Sequence, residues 1–161
     1  MKIVLAAINA KYIHSNLAVY SLRAYAKEYA SYIEIGEFTI NNHIDNILEE
    51  LYKKQPGVLC ISCYIWNIRY VEELIYEFHK LCPNVPIWLG GPEVSYEAET
   101  FLKQHPEVTG IMVGEGEETF RQLCAYYVKE EWNALDGIAS IVNQNQMIMK
   151  NSHLIFSVKH V

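Results

Sequence analysis

No apolar stretch in these 161 residues reaches the ~18 that a membrane-spanning helix needs. The opening "MKIVLAAINA" is interrupted at Asn9 and is followed by no small-residue cleavage pattern, so it is not read as a signal peptide. Basic residues are scarce, with 13 Lys and Arg against 19 Asp and Glu for a net charge of −6. They form no stripe, which argues against nucleic acid as a partner because a phosphate backbone requires clustered Lys and Arg. Four cysteines (Cys60, Cys63, Cys82 and Cys124) are too few and too apolar in setting for a disulfide scaffold. Cys60 and Cys63 are formally C-x-x-C, but they fall in "GVLCISCYI", which reads as a buried strand. A redox pair normally opens a helix, where the dipole lowers the thiol pKa, and no second Cys/His pair with zinc spacing follows. These thiols are therefore read as structural, and a reducing cytoplasm is the simplest location.

What the sequence does contain is a regular alternation. "KIVLAAI" (2–8), "GVLCISCYI" (57–65), "VPIWLG" (85–90) and "VTGIMVG" (108–114) are short, nearly continuous apolar runs bounded by turn residues, the pattern of strands buried on both faces. "YIEIGEFTI" (32–40) alternates imperfectly, as an edge strand would. Amphipathic helices are predicted between them over 17–30, 43–54, 67–82, 96–104 and 115–131, with Asn42, Asn67 and Ser95 at the starts of the second to fourth. Acidic residues open the fifth and suit a helix N-terminus. Five βα units in a row predict an α/β fold with a parallel sheet, helices on both faces and right-handed crossovers. The polar second strand favours the flavodoxin-like (Rossmann-like) five-stranded order 2-1-3-4-5. "GIASIVNQNQMIMKN" (137–151) reads as a C-terminal β-hairpin turning at "NQNQ". The division expected is an α/β domain over 1–135, then the hairpin and the start of a linker over 136–161.

In such a sheet, ligands bind outside the carboxyl ends of the strands, so four loops matter. They run from Asn9 to Asn16, Tyr64 to Asn67, Gly90 to Ser95 and Gly114 to Thr119. "GGPEVS" and "GEGEETF" place paired glycines at two neighbouring strand ends, where backbone can approach a ligand closely; the same glycines would also serve simple tight turns. Several known uses of this fold lack their residues here. A phosphoacceptor receiver needs Asp at the end of strand 3, where this chain has Tyr64, Ile65 and Trp66. A dinucleotide site needs G-x-G-x-x-G after strand 1, and that loop has no glycine. There is no P-loop, no flavodoxin-type Ser/Thr-rich phosphate loop and no Ser-His-Asp or Cys-His arrangement in register. What remains is a non-phosphate ligand lying across the loops.

Taken together, "NAKYIHSNLAVYSL", "ISCYIWN", "WLGGPEVSYEAETFL" and "VGEGEETF" resemble the N-terminal cobalamin (vitamin B12)-binding domain of B12-dependent radical SAM enzymes. That group includes the anaerobic magnesium-protoporphyrin monomethyl ester oxidative cyclase and radical SAM methyltransferases, and the resemblance covers roughly residues 2 to 145. It implies a corrin ring over the strand ends and a nucleotide tail running down beside the sheet. Small residues are needed along that path, and Ser62, Gly90 and Gly91 stand where the wider fold keeps small or hydroxyl side chains. Gly114, Glu115, Gly116 and Glu117 would flank the tail or ring edge, and Tyr64 and Trp66 could pack on the corrin. The remaining contacts implied are Asn9, Ala10, Lys11, Tyr12, His14 and Ser15 in the first loop, Asn67 in the second, and Pro92, Glu93 and Val94 in the third.

Two departures qualify the resemblance. The family's wider motif is Asp-x-His-x-x-Gly, with the His binding cobalt. Aligned by the following Asn-Leu, this chain has Asn9 for Asp, Lys11 for His and His14 for Gly. Lysine is a poor cobalt ligand at neutral pH, and His14 comes three residues late, so the expectation is binding with no protein ligand to the metal, His14 being the residual candidate. The iron–sulfur signature Cys-x-x-x-Cys-x-x-Cys also does not occur in these residues. S-adenosylmethionine, the [4Fe–4S] cluster and the small-molecule substrate are therefore expected to belong to a radical SAM domain of the same parent chain, beyond "FSVKHV". By itself this segment is expected to bind rather than catalyse. The alternatives are a flavodoxin-like interaction or regulatory domain without a cofactor, and a small enzyme using Glu93, Glu115 or Glu117 as a base.

Overall fold

Strands β1 (Ile3–Asn9) and β3 (Val58–Ser62) are buried at every position, so neither has a face to give to water and helices must cover both sides. The computed structural model describes residues 1–10, 16–131, 139–143 and 146–150. Within them β1 pairs in parallel with both β2 (Ile33–Thr39) and β3, β3 with β4 (Ile87–Gly90), and β4 with β5 (Gly110–Val113). This is the expected order 2-1-3-4-5, with the half-exposed β2 at one edge. The expected hairpin also forms, and it extends the same sheet. Strand β7 (Gln146–Lys150) lies parallel to β5, and β6 (Ala139–Asn143) lies antiparallel outside β7. An open β5 would present a row of unpaired main-chain groups, and β7 covers them. Part of the expected turn, residues 144–145, is outside the described residues.

Period-two alternation divides the strand side chains between two cores. Val4, Ala6, Ile8, Leu59, Ile61, Leu89 and Ile111 pack against helices α2 (Ile44–Lys54), α3 (Ile68–Leu81) and α5 (Ala98–Gln104). Ile3, Leu5, Ala7, Val58, Cys60, Trp88 and Met112 pack against α1 (Leu17–Tyr25) and α6 (Gly116–Lys129). Cys60 and Cys63 thus belong to opposite cores. Both are free and buried, and burial pushes both thiols up. The structural reading of this C-x-x-C holds.

Helix boundaries differ from expectation in three places. The first helix ends at Tyr25 and continues as a 3₁₀ segment, Lys27–Tyr32. Asn42 does not cap α2: His43 takes that position, and Asn42 Oδ1 instead accepts from the Thr39 N–H at 2.7 Å. Ser95 does not open a helix over 96–104. A single turn, α4 (Pro92–Ser95), comes first, with Pro92 presetting the backbone. The Ser95 hydroxyl donates back to Gly91 O at 2.7 Å, and α5 starts afresh at Ala98. No helix among the described residues is long and apolar enough to cross a membrane.

A buried amide helps to hold the hairpin against its neighbours. Gln146 Nε2 donates to Leu102 O at 2.9 Å, His105 O at 3.0 Å and Val108 O at 2.9 Å, serving the end of α5 and the approach to β5. Removing it leaves buried carbonyls without that donor, which costs about 1–3 kcal/mol. Gln146→Ala is expected to lower stability by that amount in urea denaturation; an unchanged midpoint would contradict this role.

Candidate functional site

On the α1/α6 side, Ser62 (β3) and Gly90 (β4) stand side by side at the carboxyl ends of adjacent strands, following Cys60 and Trp88 along the same face. These small side chains do not fill the space beneath the two helices. A cavity of about 760 Å³ opens there at the carboxyl edge of the sheet, within the size range of small-molecule sites. Leu5, Cys60 and Met112 line it from the sheet, Ala18 and Leu22 from α1, and Gly116 and Glu117 from α6. Gly116 brings the helices close, since a Cβ there would lie 3.1 Å from Leu22 Cδ2. The Ser21 hydroxyl donates to Glu117 Oε1 at 3.1 Å and ties α1 to α6.

The glycines of the third loop have different tasks. Gly91 has φ 111°, and an added Cβ would meet Cys63 O at 2.3 Å, so only glycine fits. Gly90 has room: a Cβ there would make ordinary contact with Met112 Cε at 3.6 Å. Its smallness serves the cavity rather than the backbone. Gly114, at φ 85°, makes the turn from β5 into α6. At the mouth, Tyr64 lines the cavity and stacks on Trp66 with centroids 4.5 Å apart and planes 4° apart. Trp66 itself stands 47% exposed outside the lining, and Tyr96, which also lines the cavity, is 90% exposed.

Loop positions are fixed from below. Asn16 Oδ1 accepts from the Ala18 N–H at 3.1 Å, and its Nδ2 donates to Ser62 Oγ at 3.4 Å. Glu37 on β2 accepts from Asn9 Nδ2 at 3.3 Å, the Asn16 N–H at 2.9 Å and the Tyr20 hydroxyl at 2.7 Å. It thereby holds both flanks of the first loop. Burial alone would raise this carboxyl, but the three donors outweigh it and the net shift is downward. Asn67 is fully buried: its Nδ2 donates to Ile8 O at 2.9 Å and Ser62 O at 3.1 Å, while its Oδ1 accepts from the Tyr64 N–H at 2.8 Å.

Of the residues named from sequence, Ser62, Tyr64, Gly90, Gly91, Pro92, Gly114, Gly116 and Glu117 come together around this one cavity. Asn67 lies beneath the loop as a clasp and Val94 is buried in the opposite core, so neither lines it. Asn9 is turned to Glu37, and Ala10, Glu93 and Glu115 are outside the lining. Lys11, Tyr12, His14 and Ser15 lie outside the described residues. Sequence reasoning missed Leu5, Leu22, Cys60 and Met112, which read as ordinary core residues. The usable signal was the run of small residues in the last inward position of adjacent strands. Among the described residues, no group of three or more His, Cys, Asp or Glu side chains is placed to hold a metal ion.

Charge ties α6 to the 3₁₀ segment that follows α1. Glu118 accepts from Arg121 Nε at 3.0 Å and Nη2 at 2.6 Å and from Gln122 Nε2 at 2.7 Å, and Arg121 Nη1 also reaches Glu28 at 3.2 Å. The Arg121 guanidinium, more than the Gln122 and Tyr25 hydrogen bonds, holds the Glu118 carboxyl from 4.5 down to about 2, against the upward push of burial. A depressed carboxylate stabilises the fold above its unfolded pKa, and that contribution fades as pH falls through the folded value. Glu118→Gln is therefore expected to cost on the order of 1 kcal/mol at pH 7. The deficit against the parent protein should shrink as pH falls from 4.5 toward 2. A deficit independent of pH in urea titrations would show that the ion pair is not its source.

The B12 binding domain family matches residues 3–124. The cobalamin-dependent radical SAM methyltransferase TokK of Streptomyces tokunonensis is 34% identical over 87 residues, which is 53% of this chain and 13% of that protein. The 2-(S-pantetheinyl)-carbapenam-3-carboxylate methyltransferase of Streptantibioticus cattleyicolor is 41% identical over 71 residues, 42% of this chain and 10% of that one. The matched segments thus span only a small part of either relative. Among solved structures, the cobalamin-dependent S-adenosylmethionine radical enzyme OxsB superposes with a TM-score of 0.67 at 19% identity, covering 92% of this chain and 22% of that one. The receiver domain of RcsB from Salmonella enterica serovar Typhimurium superposes at 0.53 and 14% identity, covering 81% and 89%. At these identities the two structures show the shared fold. With the family match covering residues 3–124, the chain belongs to the B12-binding domain family.

Proposed function

We propose that this chain holds a corrinoid at the carboxyl edge of its sheet for use by a radical SAM domain of the same parent chain. The nucleotide tail would enter the slot between α1 and α6. The observation that carries the reading is the slot itself, a cradle bounded by Ser62 and Gly90 that a larger side chain at either position would fill. Gly91 and the Gly114–Glu117 turn border the path, and Tyr64 and Trp66 offer a flat stacked surface for the ring. The first loop, Asn9 to Ser15, would cradle the ring with no protein ligand to cobalt, because Lys11 occupies the position the motif gives to histidine. Pro92, Glu93 and Val94 would shape the third loop, while Asn67 would act only by setting the second.

A bound corrinoid supplies a redox-active cobalt. The work of this chain is to bind and orient it and to exclude water from its tail. S-adenosylmethionine, the [4Fe–4S] cluster and the small-molecule substrate would belong to the partner domain, in a reducing cytoplasm. The resemblance to the two methyltransferases supports this pairing.

Mixing the purified 161-residue chain with hydroxocobalamin tests the reading. The expected result is cobalamin that stays with the protein on desalting, a changed visible spectrum and a raised melting temperature. Gly90→Leu should abolish retention while the variant remains folded by circular dichroism, because its side chain projects into the slot rather than into the backbone. Retention equal to that of the parent protein would remove the slot from the binding site, and no retention by the parent would remove the corrinoid.

A further inference from the structure

Helices α2 and α3 each follow one of the parallel strands, so they run side by side in the same direction, on the face of the sheet opposite the slot. Their inward residues, among them Ile47, Leu51, Leu74 and Phe78, are buried against the sheet. Between their outer faces lie two hollows of about 610 Å³ and 520 Å³ that share Asp45 and Glu77 and so form one groove. On α3 it extends from Tyr70 to Leu81, about 16 Å at the rise of an α-helix. Toward the helix C-termini the groove is apolar. Leu48 is nearly buried there, while Tyr52 and Leu81 beside it are 58% and 53% exposed. A single exposed apolar side chain is ordinary. Two that flank one hollow between helices offer a partner apolar area to bury, and tyrosine is enriched at such contacts.

Charge decides what can fill the groove. Asp45, Glu49, Glu73 and Glu77 line it, against Lys80 as the one lining Lys or Arg among the described residues. Glu77 is paired with Lys80 at 2.9 Å and Glu49 with Lys53 at 2.7 Å. Asp45 and Glu73 have no ion-pair partner among the described residues. Such a rim repels a phosphate backbone and an anionic membrane surface. A second copy docked through the same face would set these carboxylates against themselves. We propose that the α2/α3 groove is a docking surface for a basic amphipathic helix of a partner protein. Its apolar side chains would cover Leu48, Tyr52 and Leu81, and its Lys and Arg residues would meet Asp45 and Glu73. About eleven helical residues span the groove, and seating an amphipathic helix in an apolar groove is a recurrent mode of recognition. Because the groove and the slot lie on opposite faces of the sheet, this inference stands independently of the corrinoid reading.

The test titrates the full chain into a fluorescein-labelled helical peptide of about fifteen residues, with leucine at i, i+3, i+4 and i+7 and lysine elsewhere, followed by anisotropy. The expected result is saturable binding that weakens as salt rises and is about tenfold or more tighter than that of a scrambled peptide of the same composition. The same helix with glutamate in place of lysine should not bind. Glu73→Lys should weaken binding by about tenfold, and Tyr52→Ala by a similar factor of about ten. Both side chains are exposed, so circular dichroism should show both variants folded, and Tyr52→Ala decides if the charge reversal is not. Glu99→Lys, an equal change of charge on α5 outside the groove, should leave the affinity unchanged. Absence of saturable binding, or equal binding of the scrambled peptide, overturns the proposal. So does an affinity that ignores both groove variants, or one that falls as far with Glu99→Lys as with Glu73→Lys, because the peptide is then held elsewhere or by net charge alone.

Discussion

Where β3 and β4 end beneath α1 and α6, the residues that should fill the core are Ser62 and Gly90. A protein interior is normally packed to the density of an organic crystal, and the gap here is an exception that the surrounding structure holds open. On the opposite face of the same strands, Ile8, Ile61 and Leu89 meet α2, α3 and α5 in a continuous core. The two faces of the sheet therefore differ: one carries a continuous core, and the other opens at its carboxyl end.

The walls of the opening are tied at several points. Ser21 of α1 joins Glu117 of α6, Arg121 of α6 joins Glu28 in the 3₁₀ segment that follows α1, and Trp88 Nε1 donates to the Tyr127 hydroxyl at 2.9 Å. These bonds fix α6 against α1 and the sheet without filling the slot. The loops above it are set by buried or part-buried polar groups, Asn67 for the second loop and Glu37 for the flanks of the first. Each of these groups meets several main-chain or side-chain partners, which fixes it more firmly than a single bond would.

Much of this was legible in the sequence. Continuous apolar runs marked the doubly covered strands, the polar second strand marked an edge, and "GGPEVS" and "GEGEETF" marked two strand ends that border the cavity. The slot itself was not legible, because Leu5, Cys60 and Met112 are identical in kind to residues that fill a core. Only register shows that small residues lie just beyond them on one face. Asn67 read as a loop contact because polarity in a loop suggests exposure, yet its side chain turns inward to satisfy main-chain groups that water cannot reach. The hairpin was visible as a pattern, but not its place in the sheet, which depends on the open edge of β5.

The central claim is that the gap left by Ser62 and Gly90 receives the nucleotide end of a corrinoid, and a crystal structure of the chain grown with hydroxocobalamin tests it most directly. The account predicts electron density for the base between α1 and α6, in contact with Leu5, Cys60 and Met112. A corrinoid bound with its base outside that slot, or seated elsewhere on the sheet, would contradict it.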